Sequence, residues 1–136
     1  MNPEAEDYLR GKERGFLATV GDHRPTVVPV CFVYDSGKIY TAIDEKPKTR
    51  LPLARTTNIK KNPHVAFLVD TYSEDWRRLS YLLIHGEAFE VENHKEMEKA
   101  KRMLLSKYPQ YRWLELEDPS ILRVEIEKAK LWKFQP

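Results

Sequence analysis

The sequence predicts a mainly β, α+β fold: a small antiparallel barrel, closed or split, of six or seven strands with about three peripheral helices. Turns of about four residues at 21–24 and 35–38 separate runs of β-branched and aromatic residues, a pattern typical of an antiparallel meander. The strands of that meander are long and the helices fall at connections, which favours a barrel over a sandwich. A length of 136 residues predicts one domain, spanning 1–136.

The N-terminal part combines one helix with three β runs. Asn2 and Pro3 precede Glu4 and Glu6, so a capping side chain, a proline in the first turn and acids near the positive helix end predict a short helix. We expect it to end near Gly11. Runs of β-forming residues then follow at 15–20, 25–35 and 39–43.

The middle of the chain predicts one helix and two further strands. Residues 50–61 can form a short helix, which an Asn-Pro pair directly after it should end. The run at 64–70 is so continuously apolar that we expect it to be buried on both faces. A polar loop then leads to a long strand over 79–92, in which Gly86 predicts a bulge or a bend.

The C-terminal part predicts a helix followed by strands. Asn93 and Glu96 match a capping pattern, and apolar residues continue from there at helical spacing until Pro109. Over 122–127 apolar and charged residues alternate strictly, which predicts a half-buried strand. A further strand is expected to follow it, up to Phe134.

The distribution of charge indicates a local anion site. The net charge is +2, yet the stretch from Lys46 to Val69 contains six basic residues and no acidic one, so the remainder carries −4. A basic patch on an otherwise acidic chain favours a local anion site over general polyanion binding. Residues 46–61 contain no aromatic side chain for base stacking, so we expect no nucleic-acid partner.

The sequence disfavours a membrane protein, a secreted protein, a metal site and the common catalytic motifs. No apolar stretch approaches the ~18 residues of a membrane span, and the acidic N-terminus is unlike a signal peptide, so we expect a cytoplasmic protein. The four histidines have no i, i+4 pair and no Cys neighbour, which predicts no metal site. The single cysteine, Cys31, lies in an apolar run and is expected to be buried. There is no GxSxG motif or glycine-rich phosphate loop, and we assign no catalytic acid, base or nucleophile.

Side chains suited to a phosphate are concentrated after the third β run. They are Lys46, Lys48, Thr49 and Arg50, followed by Arg55, Thr56 and Asn58. Charge-assisted hydrogen bonds contribute about 1.5–3 kcal/mol each, so three or four would hold a phosphate firmly. A solvated basic loop is the alternative, although such loops usually mix both signs of charge.

The motifs follow one another in a recognisable order. GFLATVGDHRPTVVPVCFVYDSGKIYTAID precedes the basic segment KPKTR, and NPHVAFLVD follows it. This order resembles the pyridoxamine 5'-phosphate oxidase-like flavin split-barrel superfamily, and within it a small subgroup assigned to the deazaflavin coenzyme. The resemblance covers residues 14 to about 92 well and the C-terminal third loosely.

The resemblance implies a homodimer that holds a flavin in a groove between its subunits. The implied cofactor is FMN, with the deazaflavin coenzyme F-420 as the alternative. The implied function is a flavin-dependent oxidoreductase that transfers a hydride or electrons to a small molecule. A non-catalytic flavin- or tetrapyrrole-binding protein is the alternative. The C-terminal LWKFQP lacks the substrate-binding Arg and His of the vitamin B6 enzyme, so B6 oxidation is not implied.

The resemblance also assigns roles to residues. Backbone at Val28, Pro29 and Val30 would meet the edge of the flavin ring, and Thr41 and Ala42 would line its other end. The phosphate would be held by the basic segment and the helix after it, through Lys46, Lys48, Thr49, Arg50, Arg55 and Asn58. Trp76 and Trp132 are implied as lids contributed by the partner subunit.

Overall fold

A computed structural model describes residues 1–22, 24–43, 54–112 and 120–136, with Ala54 and Arg55 described by their backbone alone. Within these residues the chain forms three α-helices and seven strands. The helices are α1 (Pro3–Arg10), α2 (Ala54–Lys61) and α3 (His94–Lys107). The strands are β1 (Gly15–Thr19), β2 (Thr26–Val30), β3 (Val33–Asp35), β4 (Lys38–Ile43), β5 (His64–Thr71), β6 (Ser80–Glu90) and β7 (Ser120–Lys133).

All seven strands form one antiparallel sheet in the order β2-β1-β5-β6-β7-β4-β3. Its two edge strands, β2 and β3, are separated in sequence only by Cys31 and Phe32. Two residues span less than about 11 Å, so the sheet must curl until its edges approach each other. This curled sheet with helices at its connections confirms the predicted split barrel.

The prediction of one β run over 25–35 is wrong. The chain breaks at Cys31 and Phe32, so the run is divided into β2, which pairs with β1, and β3, which pairs with β4. Both predicted hairpins are therefore present. They lie at opposite edges of the sheet because the chain crosses from one edge to the other between them.

Two expectations about the later strands are also wrong. In β5, buried residues alternate with exposed or half-buried ones, so only one of its faces lies in the core. The residues after Ile126 continue β7 rather than forming a further strand, since β7 pairs with β6 as far as Lys133. The predicted bulge is confirmed: the register shifts between His85 and Gly86, where a Cβ would overlap the carbonyl oxygen of Glu125.

The predicted helix ends are confirmed for the described residues. The Asn2 side chain accepts a hydrogen bond from the backbone N–H of Ala5 at 2.8 Å, and Asn93 accepts one from the N–H of Glu96 at 2.9 Å. Each bond satisfies a backbone donor that the first turn of a helix leaves without a partner. The helix predicted from residue 50 is described from Ala54 onward, and it ends before the Asn-Pro pair as expected.

Two apolar clusters form the core. The larger one fills the barrel, where the rings of Phe32 and Phe67 meet edge to face with their centroids 4.9 Å apart. The smaller one lies between α3 and the sheet and contains Tyr40, Ala100 and Leu104. Among the described residues, no helix is both long and apolar enough to cross a membrane.

Candidate functional site

The two edges of the sheet meet at residues 30–33, which we call the seam. The register of β3 with β4 pairs Val33 with Tyr40, and its continuation brings Phe32 beside Thr41 and Cys31 beside Ala42. The Thr41 hydroxyl donates a hydrogen bond of 2.7 Å to the carbonyl oxygen of Cys31 and is buried. The seam therefore brings Thr41 of β4 into contact with the residue that follows β2.

Most side chains of the predicted ring-binding residues pack inside the protein itself. Val30 and Ala42 are buried, and Val28 packs against the barrel core. Pro29 is exposed and points away from that core. A ligand at the seam would thus meet backbone atoms and the Pro29 ring more than apolar side chains of the core.

An open cavity of about 590 Å³ lies beside the seam. Its lining residues come from the segment before β1, the seam and the turn after α3: Glu13, Arg14, Cys31, Tyr108, Gln110 and Tyr111. Cavities of roughly 300–1,000 Å³ are typical of small-molecule sites. The Cys31 thiol is half-buried at this cavity rather than enclosed in the core as the sequence predicted.

Tyr108 fixes the wall of this cavity. Its hydroxyl accepts a hydrogen bond from the N–H of Phe32 at 3.0 Å and lies 2.7 Å from the carbonyl oxygen of Glu13, to which it can donate. Burial raises the pKa of Tyr108 to about 12, so the phenol stays protonated and can donate at neutral pH. One side chain therefore ties the seam, the N-terminal segment and α3 together.

The ammonium group of Lys107 lies against the seam at Phe32. The ammonium of Lys107 is 4.0 Å from the ring centroid of Phe32, close enough for a cation–π contact. Burial lowers the pKa of Lys107, because desolvation disfavours its charged form. Neither Lys107 nor Tyr108 was a predicted site residue, because the helical spacing that ends at Tyr108 indicates core packing alone.

The predicted phosphate-binding residues are only partly described. Lys46, Lys48, Thr49 and Arg50 lie outside the described residues, and the side chain of Arg55 does too, so their role stays a prediction. Asn58 is described: its Nδ2 donates to the hydroxyl of Thr19 at 3.0 Å, which holds α2 against β1. The amide nitrogen of Asn58 therefore already has a hydrogen-bond partner within the protein.

The hydroxyl of Thr56 in α2 fits a bound anion. It is buried, and it has no hydrogen-bond partner in the part of the chain that the structure describes. Leaving a buried hydroxyl unpaired costs about 1–3 kcal/mol, which an oxygen acceptor from a ligand would offset. Thr56 is the third residue of α2 and follows Arg50 by six residues, so it lies near the basic segment in the sequence.

Of the two tryptophans implied as lids, Trp132 lies away from the seam. Trp132 stacks on Tyr81, with ring centroids 5.4 Å apart and planes inclined by 20°. Thr41 pairs with Leu122, ten residues before Trp132 on the same strand, so about 30 Å separates Trp132 from Thr41 at the usual rise per residue. Trp76 is 66% exposed in a short 3₁₀ turn. Trp132 cannot cover the seam of its own subunit.

A second cavity of about 510 Å³ lies between α2 and β6. Its lining is charged as well as apolar, with Ile59, Lys60, Pro63, Ala88, Phe89, Glu90, Glu92 and Arg123. Lys60 and Glu90 approach each other to 4.0 Å there, where Lys60 is exposed and Glu90 is half-buried. This cavity is thus a polar surface groove, unlike the more apolar cavity at the seam.

The chain can be compared with proteins of known structure on this basis. A FAD-binding protein from Mesorhizobium loti superposes with a TM-score of 0.74 at 20% identity, over 96% of this chain and 94% of that one. The haem storage protein HutZ of Vibrio cholerae gives 0.73 at 19% identity, over 97% and 93%. A FAD-binding protein of Mycobacterium smegmatis gives 0.66 at 18% identity, over 98% and 96%. At these identities the similarity shows a shared fold.

No curated protein sequence matches the chain. The family of the pyridoxamine 5'-phosphate oxidases, by contrast, matches residues 1–133, which is nearly the whole chain. This agrees with the seven-stranded curled sheet and with the order of its motifs. The chain belongs to the pyridoxamine 5'-phosphate oxidase family of split barrels.

Proposed function

We propose that this protein is a flavin-dependent oxidoreductase that binds FMN, with the deazaflavin coenzyme F-420 as the alternative. The observation that carries the proposal is the hydrogen bond from Thr41 to Cys31, which joins the ends of β2 and β4 at the seam. The basic segment begins three residues after Ile43, the last residue of β4. A ring held at the seam would therefore lie next to the segment that supplies the cations.

Different residues of the chain would bind the ring and the phosphate of the flavin. Backbone at Val28, Pro29 and Val30 would lie along one edge of the ring, and Thr41 and Ala42 would lie at its other end. The basic side chains of the segment and the unpaired hydroxyl of Thr56 would hold the phosphate. Asn58 would position α2 through Thr19 rather than bind the phosphate with its amide nitrogen.

The substrate would lie in the cavity at the seam. Its wall is fixed by Tyr108, whose hydroxyl is engaged by backbone groups of Glu13 and Phe32, so we assign no proton transfer to this side chain. A bound flavin supplies the hydride or electron transfer itself. The protein's part is to orient the ring and to restrict access of water.

The proposed form is a cytoplasmic homodimer with the flavin in a groove between subunits. The outer face of the sheet supports this, because Phe16, Leu68 and Leu83 are neighbours across β1, β5 and β6 and are all partly exposed. Val27, on the adjacent edge strand, is 63% exposed. A contiguous apolar face of this kind is typical of protein–protein contacts. Because about 30 Å separates Trp132 from the seam of its own subunit, Trp132 would act as a lid only from the partner subunit.

A non-catalytic binding protein for a flavin or a tetrapyrrole is the second candidate. It is favoured by the similarity in fold to the haem storage protein of Vibrio cholerae, which matches as well as the FAD-binding protein of Mesorhizobium loti does. The two candidates share a binding groove. They differ in whether the bound group is turned over.

The test is an absorption and fluorescence titration of the purified protein with FMN, with F-420 and with haem. We expect saturable binding of one flavin per subunit, followed by reduction with a hydride donor and reoxidation by an electron acceptor. A bound flavin that is never reduced or reoxidised would favour the non-catalytic protein. Haem binding without flavin binding would overturn the proposal.

A further inference from the structure

Three metal-binding side chains converge on the sheet surface, away from the seam. They are His64 at the start of β5, Glu87 on β6 and Glu127 on β7, and one ligand atom of each lies within 4.8 Å of the others. His64 and Glu87 are direct cross-strand partners. The histidine spacing in the sequence gave no indication of this group, because its other two members are carboxylates from distant strands.

The bulge between β6 and β7 creates this arrangement. Gly86 pairs with Ile126 and His85 pairs with Lys128, so Glu127 is the extra residue that has no partner in the register. A bulge turns the extra residue away from the regular alternation of side chains. Gly86 permits the bulge, because a larger residue there would overlap the backbone of β7.

In the part of the chain that the structure describes, no protein cation pairs with the carboxylates of this group. Neither Glu87 nor Glu127 forms an ion pair there, and the imidazole of His64 makes no hydrogen bond. Glu125 faces Glu87 across the strands, but its carboxylate is paired with Arg123 at 3.2 Å. One carboxylate oxygen of Glu87 lies within 4.8 Å of one of Glu127, and like charges at that distance repel each other. A bound divalent cation would remove that repulsion.

The geometry suits a small borderline metal ion. Imidazole nitrogen and carboxylate oxygen bind Zn²⁺ at about 2.0–2.2 Å, so tetrahedral ligand atoms lie about 3.3 Å apart. His64 and Glu127 are exposed and can close the remaining ångström or so by changes of side-chain rotamer. Three protein ligands leave a fourth position for water. Mg²⁺ and Ca²⁺ prefer sites made only of oxygen, so the imidazole argues against them.

We infer that His64, Glu87 and Glu127 form a binding site for a divalent transition metal of the Zn²⁺ class. The site ties three strands together at the bulge and uses none of the residues that the flavin proposal names. The metal site can therefore be tested independently of the flavin proposal.

The test uses the full chain, freed of any affinity tag and treated with a chelator, without flavin. Zn²⁺ binding is measured by calorimetry, and Co²⁺ is added as a probe whose visible absorption reports coordination by nitrogen and oxygen. We expect one ion per chain, a melting temperature raised by Zn²⁺ through linkage, and much weaker binding of Mg²⁺. His64→Ala and Glu127→Gln should each lower Zn²⁺ affinity at least about tenfold, by comparison with outer-shell changes.

His94→Ala and Glu74→Gln are the matched controls, since each removes an exposed side chain of the same type outside the group. Their Zn²⁺ affinity should equal that of the parent protein. The inference is overturned if Zn²⁺ does not bind at millimolar concentration. It is also overturned if His64→Ala and Glu127→Gln bind as the controls do, because the ion would then occupy another place.

Discussion

The hydroxyl of Tyr40 donates a hydrogen bond of 2.7 Å to one carboxylate oxygen of Glu96, which joins β4 to the first turn of α3. Arg123 on β7 donates to the other oxygen at 2.8 Å. The side chains of Glu96 and Arg123 are only about one-fifth exposed, so the Glu96 carboxylate lies at the centre of a largely buried hydrogen-bond network. Burial, followed by the hydrogen bond to Glu96, raises the pKa of Tyr40.

Glu96→Ala should lower the free energy of unfolding by about 2 kcal/mol, because it leaves the Tyr40 hydroxyl without its acceptor and Arg123 with Glu125 as its remaining carboxylate. Glu96→Gln keeps an acceptor for Tyr40 and should cost less. Urea unfolding measures both. Glu98→Ala on the same helix is the control and should change the free energy of unfolding by less than about 0.5 kcal/mol. Equal values for Glu96→Ala and Glu98→Ala would contradict the network.

The free energy of unfolding should fall as the pH rises above about 10. The pKa of Tyr108 is raised to about 12 in the folded protein by burial, whereas an unfolded tyrosine titrates near 10. Between these values the folded state binds more protons than the unfolded state, so stability is present below about pH 10 and is lost as pH rises toward 12. Urea midpoints measured from pH 8 to 11 would show this decline. Tyr108→Phe should be less stable at pH 8 and should show a shallower decline.

Thr41→Val should loosen the seam, because the isosteric side chain cannot donate to the carbonyl oxygen of Cys31. We expect a loss of about 1 kcal/mol in the free energy of unfolding, together with weaker flavin binding. Thr41→Ser keeps the hydroxyl and is the matched control for flavin affinity. If the valine and serine variants bind flavin equally well, the hydrogen bond does not shape the site.

Replacing Lys48 and Arg50 together with Ala should weaken flavin binding by about 3 kcal/mol or more, since two charge-assisted bonds to the phosphate are lost. The melting temperature should stay the same. Riboflavin, which lacks the phosphate, should bind the parent and the double variant alike. Unchanged FMN affinity in the double variant would exclude these residues as the phosphate site.

Leu68→Glu should convert the proposed dimer to a monomer, because it places a charge in the middle of the apolar outer face of the sheet. Sedimentation at micromolar concentration measures the mass of each form. Glu74→Gln, an exposed change in the loop after β5, should leave the mass unchanged. A parent protein that sediments as a monomer would contradict a flavin groove shared between subunits.

Sequence alone determined the features that depend on neighbours along the chain. The caps at Asn2 and Asn93 and the end of α2 are set by residues within about four positions of each other. Local hydrogen bonds and backbone sterics decide these features, so short patterns predict them well. The order of motifs along the chain also indicates the family.

Only the tertiary structure decided which distant residues meet. The break of the 25–35 run at the seam follows from the curl of the sheet, because one straight strand cannot pair at both edges. The side chains of His64, Glu87 and Glu127 converge through strand register and a one-residue bulge, and Tyr108 reaches Phe32 from 76 residues away. Such juxtapositions depend on how strands pair over long separations, and a one-residue shift in register would turn each side chain to the other face.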